Sequence, residues 1–218
     1  MAINYDSLTN PDAIGVFHEP GFLDIHELTA IQEELTDTEK IAWEDTHDVY
    51  TNERGLVITQ NHDTYALKLS RGDQSPLDRI PHIRHAMDYI RTRVGEMALT
   101  IPSLVSWEPD EMSLHRYDDA EIGLDFHKDN NRFTGLIAIV ALDGICDIVV
   151  RRDYQAVVTT TKPGDLVLLR APGLVDTTED LRPEHAVLNL QTPTRTSLMV
   201  RANKKPDEAL PNFHFANW

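Results

Sequence analysis

An α+β fold, a jelly roll of two antiparallel sheets supported by N-terminal helices, is predicted by a contrast between the two halves of the 218 residues. In the first hundred residues, apolar side chains recur at every third or fourth position, the period of an amphipathic helix. Beyond Ile101 they gather in short runs of Val, Ile, Leu and Thr divided by Asp, Gly and Pro, the pattern of short antiparallel strands. A hydrophobic content of 41% is enough to fill such a core.

Taken in order, Glu27 to Lys40 places Leu28, Ile31 and Leu35 on one helical face, with acids in the first turn. Gly55–Thr59 and Thr64–Leu69 read as short strands around the polar turn Asn61-His62-Asp63. A second helix runs from Pro76 or Pro81 to Met97, with Leu77, Ile80, Ile83, Met87, Ile90, Val94 and Met97 inward. Eight strands follow, near Met112–Tyr117, Gly123–His127, Thr134–Leu142, Asp147–Arg151, Ala156–Thr160, Asp165–Leu169, His185–Leu190 and Thr196–Arg201. Lys162-Pro163-Gly164-Asp165 is a strong turn between two of them.

Composition narrows the function classes. With 20 basic against 36 acidic residues the net charge is −16, which opposes general electrostatic attachment to nucleic acid or anionic lipid. The basic runs are no longer than Arg151-Arg152 and Lys204-Lys205. One cysteine, Cys146, rules out a disulfide framework or a multi-cysteine metal site. The longest apolar run, Leu136–Leu142, is too short to span a membrane. Met1 to Asn10 lacks the pattern of a signal peptide, so a cytoplasmic protein is expected.

The chemistry begins at His127-Lys128-Asp129. At a strand end, residues i and i+2 point the same way, so His127 and Asp129 can meet one ion while Lys128 turns away. Alone the triplet means little, since chance supplies about one in a chain with this many His and Asp residues. His185 opens a later strand and adds a second imidazole. Two histidines and one carboxylate leave open positions on a metal such as iron(II), whereas a structural zinc is closed and usually thiolate-rich. Farther along, Arg195, Ser197, Met199 and Arg201 share one strand face, and Thr196, Leu198 and Val200 the other. Inward arginines need an anionic partner, and a dicarboxylate matches the guanidinium fork. His115 and Tyr117 share a face on the strand before the His-x-Asp triplet, where the tyrosine hydroxyl can reach the same carboxylate. The other histidines, His18, His26, His47, His62, His82, His85 and His214, have no ligand-like spacing to one another.

With these residues in order, the sequence resembles the iron(II)/2-oxoglutarate-dependent oxygenases. The resemblance covers roughly residues 112 to 203 and rests on His127, Asp129, His185, Arg195 and Ser197. It implies the double-stranded β-helix form of the jelly roll. It also implies an iron triad of His127, Asp129 and His185, 2-oxoglutarate as co-substrate and O2 as oxidant. Arg195 and Ser197 would clasp the distal carboxylate, with Tyr117 helping, and Arg201 and His115 would complete the co-substrate-binding set. Two pieces look AlkB-like: His115-Arg116-Tyr117 is similar to that branch's Asn-x-Tyr, and Arg195 with Arg201 to its R-x-N-L-x-x-R. His115 and Ser197 stand where that branch has asparagine.

The expected organisation is a single domain, 1–218. Residues 1–100 form helical support with short strands, 101–205 the jelly-roll catalytic core, and 206–218 a tail. The expected reaction is hydroxylation, or oxidative demethylation, of a C–H bond in a small molecule, with decarboxylation of 2-oxoglutarate to succinate. The alternatives are an AlkB-like nucleic-acid dealkylase, disfavoured by the charge, and a non-catalytic or cupin-type metal-binding protein, which would not need the Arg195/Ser197/Arg201 face. The oligomeric state cannot be read from the sequence.

Overall fold

In a computed structural model, residues 4–51, 55–69, 75–118 and 121–204 are described; the expected tail at 206–218 lies outside them. The elements in chain order are α1 (Asp6–Thr9), β1 (Val16–Glu19), α2 (Ile25–Leu35), β2 (Glu44–Asp45), β3 (Asp48–Thr51), β4 (Val57–Gln60), β5 (His62–Lys68) and α3 (Pro81–Ala98). There follow β6 (Glu111–Tyr117), β7 (Ile122–His127), β8 (Phe133–Asp143), β9 (Cys146–Arg152), β10 (Gln155–Thr161), β11 (Leu166–Arg170), β12 (Glu184–Leu188) and β13 (Arg195–Asn203).

The strands form two antiparallel sheets, the jelly roll that the alternating pattern predicts. A seven-stranded sheet runs β1-β11-β8-β13-β6-β5-β2, and a six-stranded sheet runs β10-β9-β12-β7-β4-β3. Strands from the first hundred residues extend both. The eight strands expected after Ile101 are present, most within a residue or two of their expected bounds. The expected end of β12 at Leu190 moves back to Leu188, because Asn189 takes a left-handed backbone (φ 53°).

The helices start and stop for local reasons. α2 begins earlier than the apolar period implies, because the Asp24 side chain accepts from the His26 and Glu27 amides while Glu27 reaches back to Asp24 N. It ends at Leu35, where the Thr36 hydroxyl bonds the Glu33 carbonyl and Asp37 accepts from the Glu39 amide. Pro81 occupies the first position of α3, where its missing N–H is no loss, and Ser75–Arg79 forms a separate 3-10 turn. The buried Glu34 carboxylate of α2 accepts from the His82 and Ile83 amides (3.1 and 2.9 Å), satisfying the first turn of α3 from a neighbouring helix.

Two apolar layers follow from strand parity. Leu114 on β6, Leu136, Ala138 and Val140 on β8, Leu168 on β11, and Leu198 and Val200 on β13 pack outward against Ile31 of α2 and Ile83, Met87, Ile90 and Val94 of α3. Ile137 and Ile139, Val167 and Leu169, and Met199 point the other way, against Ile148, Val150 and Val187 of the second sheet. β8 is covered on both faces, so its sequence is a continuous apolar run and not an alternation. The functional residues of β6 and β13 lie on the inner face.

Gly144, between β8 and β9, has φ +71°, and a Cβ there would collide with the Thr194 carbonyl and lie 2.8 Å from Arg195 Cα. Gly144→Ala is therefore expected to cost about 2 kcal/mol or more. A thermal melt lowered by roughly 5 °C checks this.

Candidate active site

β7 and β12 are neighbours in the six-stranded sheet, with His185 directly opposite His127. Their rings are 4.2 Å apart between centroids. Asp129 lies two residues beyond His127, just past the end of β7, and turns in to place Oδ2 3.4 Å from His185 Nε2. One ligand atom from each of His127, Asp129 and His185 lies within 4.8 Å of the others. Asp129 and His185 are buried and His127 is half-buried.

Surrounding groups set the ligands' charge and orientation. The His127 ring donates through Nδ1 to the Asp125 carbonyl (2.9 Å), which leaves the Nε2 lone pair for an ion. Burial, helped by His127, pushes His185 down to about 3, so it is a neutral imidazole, the form that binds metal. Burial alone would raise the Asp129 carboxyl, but its electrostatic contacts with the His185 ring, the Arg201 guanidinium and the His127 ring outweigh that and hold it below the usual carboxylate range. The Asp129 backbone carbonyl accepts from Arg182 Nη1 (2.6 Å).

The paired strands β6 and β13 supply the rest. Their register sets Arg195 opposite Tyr117, Ser197 opposite His115, Met199 opposite Ser113, and Arg201 opposite Glu111, all on the inner face. Arg201 is engaged there. It contacts Glu111 Oε1 at 3.0 Å and Asp129 Oδ1 at 3.4 Å, and Nη2 donates to Ser113 Oγ at 2.9 Å. Glu111 is held in turn by Arg132 (2.7 Å). Arg195 is different. Its guanidinium is fully buried, and Nε, Nη1 and Nη2 have no hydrogen-bond partner among the described residues. The Tyr117 ring lies beside it, 5.3 Å from Cζ, and the Tyr117 hydroxyl bonds His115 Nδ1 at 3.2 Å. Burial pushes the Tyr117 phenol up to about 12, so it is uncharged. Burial and the neighbouring cations carry His115 well below the usual imidazole range. Ser197 is wholly buried on the same face.

The donor set fits an iron(II) ion, since two imidazoles and one carboxylate converge with no thiolate among them. The slot beside it fits an anion, because a buried guanidinium without a counter-charge costs several kcal/mol until one arrives. Sequence spacing does not reveal Tyr50, Gln60, His62 or Glu111. The first three border the cavity at His127 and Asp129, and Glu111 braces Arg201. His62 reaches the site through strand pairing, its ring stacked on His115 at 4.5 Å and 18°. The alternation of β6 is the one sequence signal for Glu111, which shares a face with His115.

Solved structures with the same architecture are known. A Trichoplax adhaerens prolyl hydroxylase, solved with a hypoxia inducible factor oxygen degradation domain peptide, aligns with TM-score 0.58 at 13% identity, over 92% of this chain and 90% of that one. An oxidoreductase of the 2OG-Fe(II) oxygenase family from Burkholderia pseudomallei aligns with TM-score 0.55 at 15% identity, over 92% of each chain. JOX2, solved with 2OG, Fe and JA, aligns with TM-score 0.59 at 14% identity, over 93% of this chain and 71% of its own. The chain has the double-stranded β-helix fold. No protein-family model and no curated protein sequence matches it. At these identities the likeness fixes architecture, and the chemistry has to be argued from the side chains.

Proposed function

We propose that this protein is an Fe(II)- and 2-oxoglutarate-dependent dioxygenase acting on a small molecule. The observation that carries the reading is the pairing of two unfulfilled features: a converging His127/Asp129/His185 triad and, on the facing sheet, a buried Arg195 with no counter-charge among the described residues. A cupin-type metal protein has no use for the second feature. The same fold in JOX2, solved with 2OG and Fe, supports the reading.

His127, Asp129 and His185 would hold the ion. With 2-oxoglutarate and O2 it supplies oxidation of a substrate C–H bond, coupled to decarboxylation of the keto acid to succinate. The remaining work belongs to the chain. Arg195, with Ser197 and the uncharged Tyr117 hydroxyl, binds and orients the distal carboxylate in a dry slot, where a charge-assisted pair is strong. His115 fixes Tyr117 through their hydrogen bond. Arg201, braced by Glu111 and Ser113, holds the Asp129 carboxylate in place. Apolar residues of both sheets exclude water.

Asp129 occupies the place that halogenating enzymes leave open, which favours hydroxylation, or demethylation through a hydroxymethyl product. The His115-x-Tyr117 and Arg195/Arg201 patterns support an AlkB-like branch. A nucleic-acid substrate is disfavoured. The net charge is −16, and cations near the triad are engaged: Lys128 and Arg182 with Asp180, and Arg151 with Glu184. Anaerobic titration with Fe(II) and 2-oxoglutarate tests the proposal. The expected result is the weak visible charge-transfer band of the metal-bound keto acid, followed on admission of air by succinate release. Folded protein that gives no band refutes it.

A further inference from the structure

His62 lies where the chain crosses from one sheet to the other. β4 ends at Gln60, opposite Leu124 of the six-stranded sheet, and β5 begins at His62, opposite Tyr117 of the seven-stranded sheet. Asn61 pins the crossing: its amide donates to the Gly123 carbonyl (2.7 Å) and its side chain to the Ile122 carbonyl (2.8 Å). The crossing therefore forms a fixed wall of the cavity at His127 and Asp129, together with Tyr50, Leu124 and Met199.

The His62 ring is buried and held in one orientation by its stack on His115. Nδ1 is buried and has no partner among the described residues. A neutral imidazole carries one N–H donor and one acceptor nitrogen, so an unpartnered ring nitrogen can accept a hydrogen bond. A buried acceptor left unmet costs about 1–3 kcal/mol. Besides the His115 and His127 rings, the rest of the wall is a phenol, an amide, a leucine and a methionine. The charges bordering the cavity, Asp129 and Arg201, are already engaged with each other.

We propose, resting on the oxygenase reading above, that His62 Nδ1 accepts a hydrogen bond from the substrate. The substrate is then a neutral group that carries an N–H or O–H donor next to the carbon oxidised. His62 is a substrate-contacting, specificity-determining residue, and acidic or basic groups are rejected because the wall offers them no counter-charge.

The test uses the Fe(II)-loaded full chain and a panel of N-acetyl amino-acid amides, neutral, acidic and basic, each with its N-methylated counterpart. Succinate release is read alongside 2-oxoglutarate binding to the Mn(II)-loaded protein. Neutral donors are expected to stimulate succinate release in the wild type. Loss of the contact, by N-methylation of the probe or by His62→Phe, should lower that stimulation about 10- to 100-fold. 2-Oxoglutarate binding to His62→Phe should persist, because the phenyl ring keeps the stack. The inference is overturned if no neutral member stimulates, if charged members do so equally well, or if N-methylation makes no difference. The methylated probes interrogate the contact in the wild-type chain, so a misfolded variant does not decide the matter. Failure of the wild type to bind 2-oxoglutarate at all would instead sink the oxygenase reading.

Discussion

Asp129→Ala is expected to abolish succinate release and to leave the purified protein without stoichiometric iron. Asp129 is the only carboxylate of the triad, and without it two imidazoles face the ion alone. Loss of groups that merely orient a ligand typically costs 10- to 100-fold in metal affinity, so loss of the ligand itself should cost at least about 100-fold. The substitution also removes a partner of Arg201, whose other contacts at Glu111 and Ser113 remain. Asp129→Asn keeps volume and hydrogen bonding while removing the charge, and separates ligand loss from disturbed packing. Iron is measured by elemental analysis after desalting, and the fold by circular dichroism. A variant that retains iron and turnover removes Asp129 from the ligand set.

Arg195→Met should show opposite effects in the absence and presence of co-substrate. Without 2-oxoglutarate the wild-type chain carries a buried guanidinium with no hydrogen-bond partner among the described residues, an arrangement that destabilises the fold. A methionine of similar length meets Tyr117 without that penalty, so the variant should melt at or above the wild-type temperature. With co-substrate the order reverses. At a hundredfold excess over its dissociation constant, a ligand adds about 2.7 kcal/mol, or roughly 5–10 °C for a chain of this size. The wild type should gain that shift and the variant should not. Truncating one side of a buried charged pair costs about 2–5 kcal/mol, so the 2-oxoglutarate requirement should rise at least about 30-fold while bound iron is unchanged. Equal thermal shifts in the two proteins would take Arg195 out of the carboxylate slot.

The parts of this molecule legible in its sequence are those whose signal is local. β6 to β13 announce themselves because apolar residues repeat within each strand and turn residues separate them. That Arg195, Ser197, Met199 and Arg201 share one face follows from parity alone. β1 and β2 are not legible. β1 is four residues long and exists through its pairing with β11, and β2 is an exposed Glu44-Asp45 pair with no apolar residue to mark it. His62 fails for a related reason. A search for histidines at ligand-like spacing cannot find a residue whose neighbour, His115, is brought to it by β5–β6 pairing. Arg195 and Arg201 look equivalent in sequence because they share a face. Six residues along a strand separate their Cα atoms by about 20 Å, so one lies beside Tyr117 and the other beside Asp129.

The pairing of His127 with His185 across β7 and β12 has a consequence for how the protein is made. β8, β9, β10 and β11 all intervene in the chain between the two imidazoles. An unfolded polypeptide therefore keeps these two imidazoles apart, unlike small zinc modules whose ligands sit a few residues apart and whose folding the ion drives. Contacts so distant in sequence form only after long loops have closed. On the proposed reading, construction precedes loading: an ion at the triad would be received by a finished sandwich and would fasten together two strands that the nascent chain produces far apart.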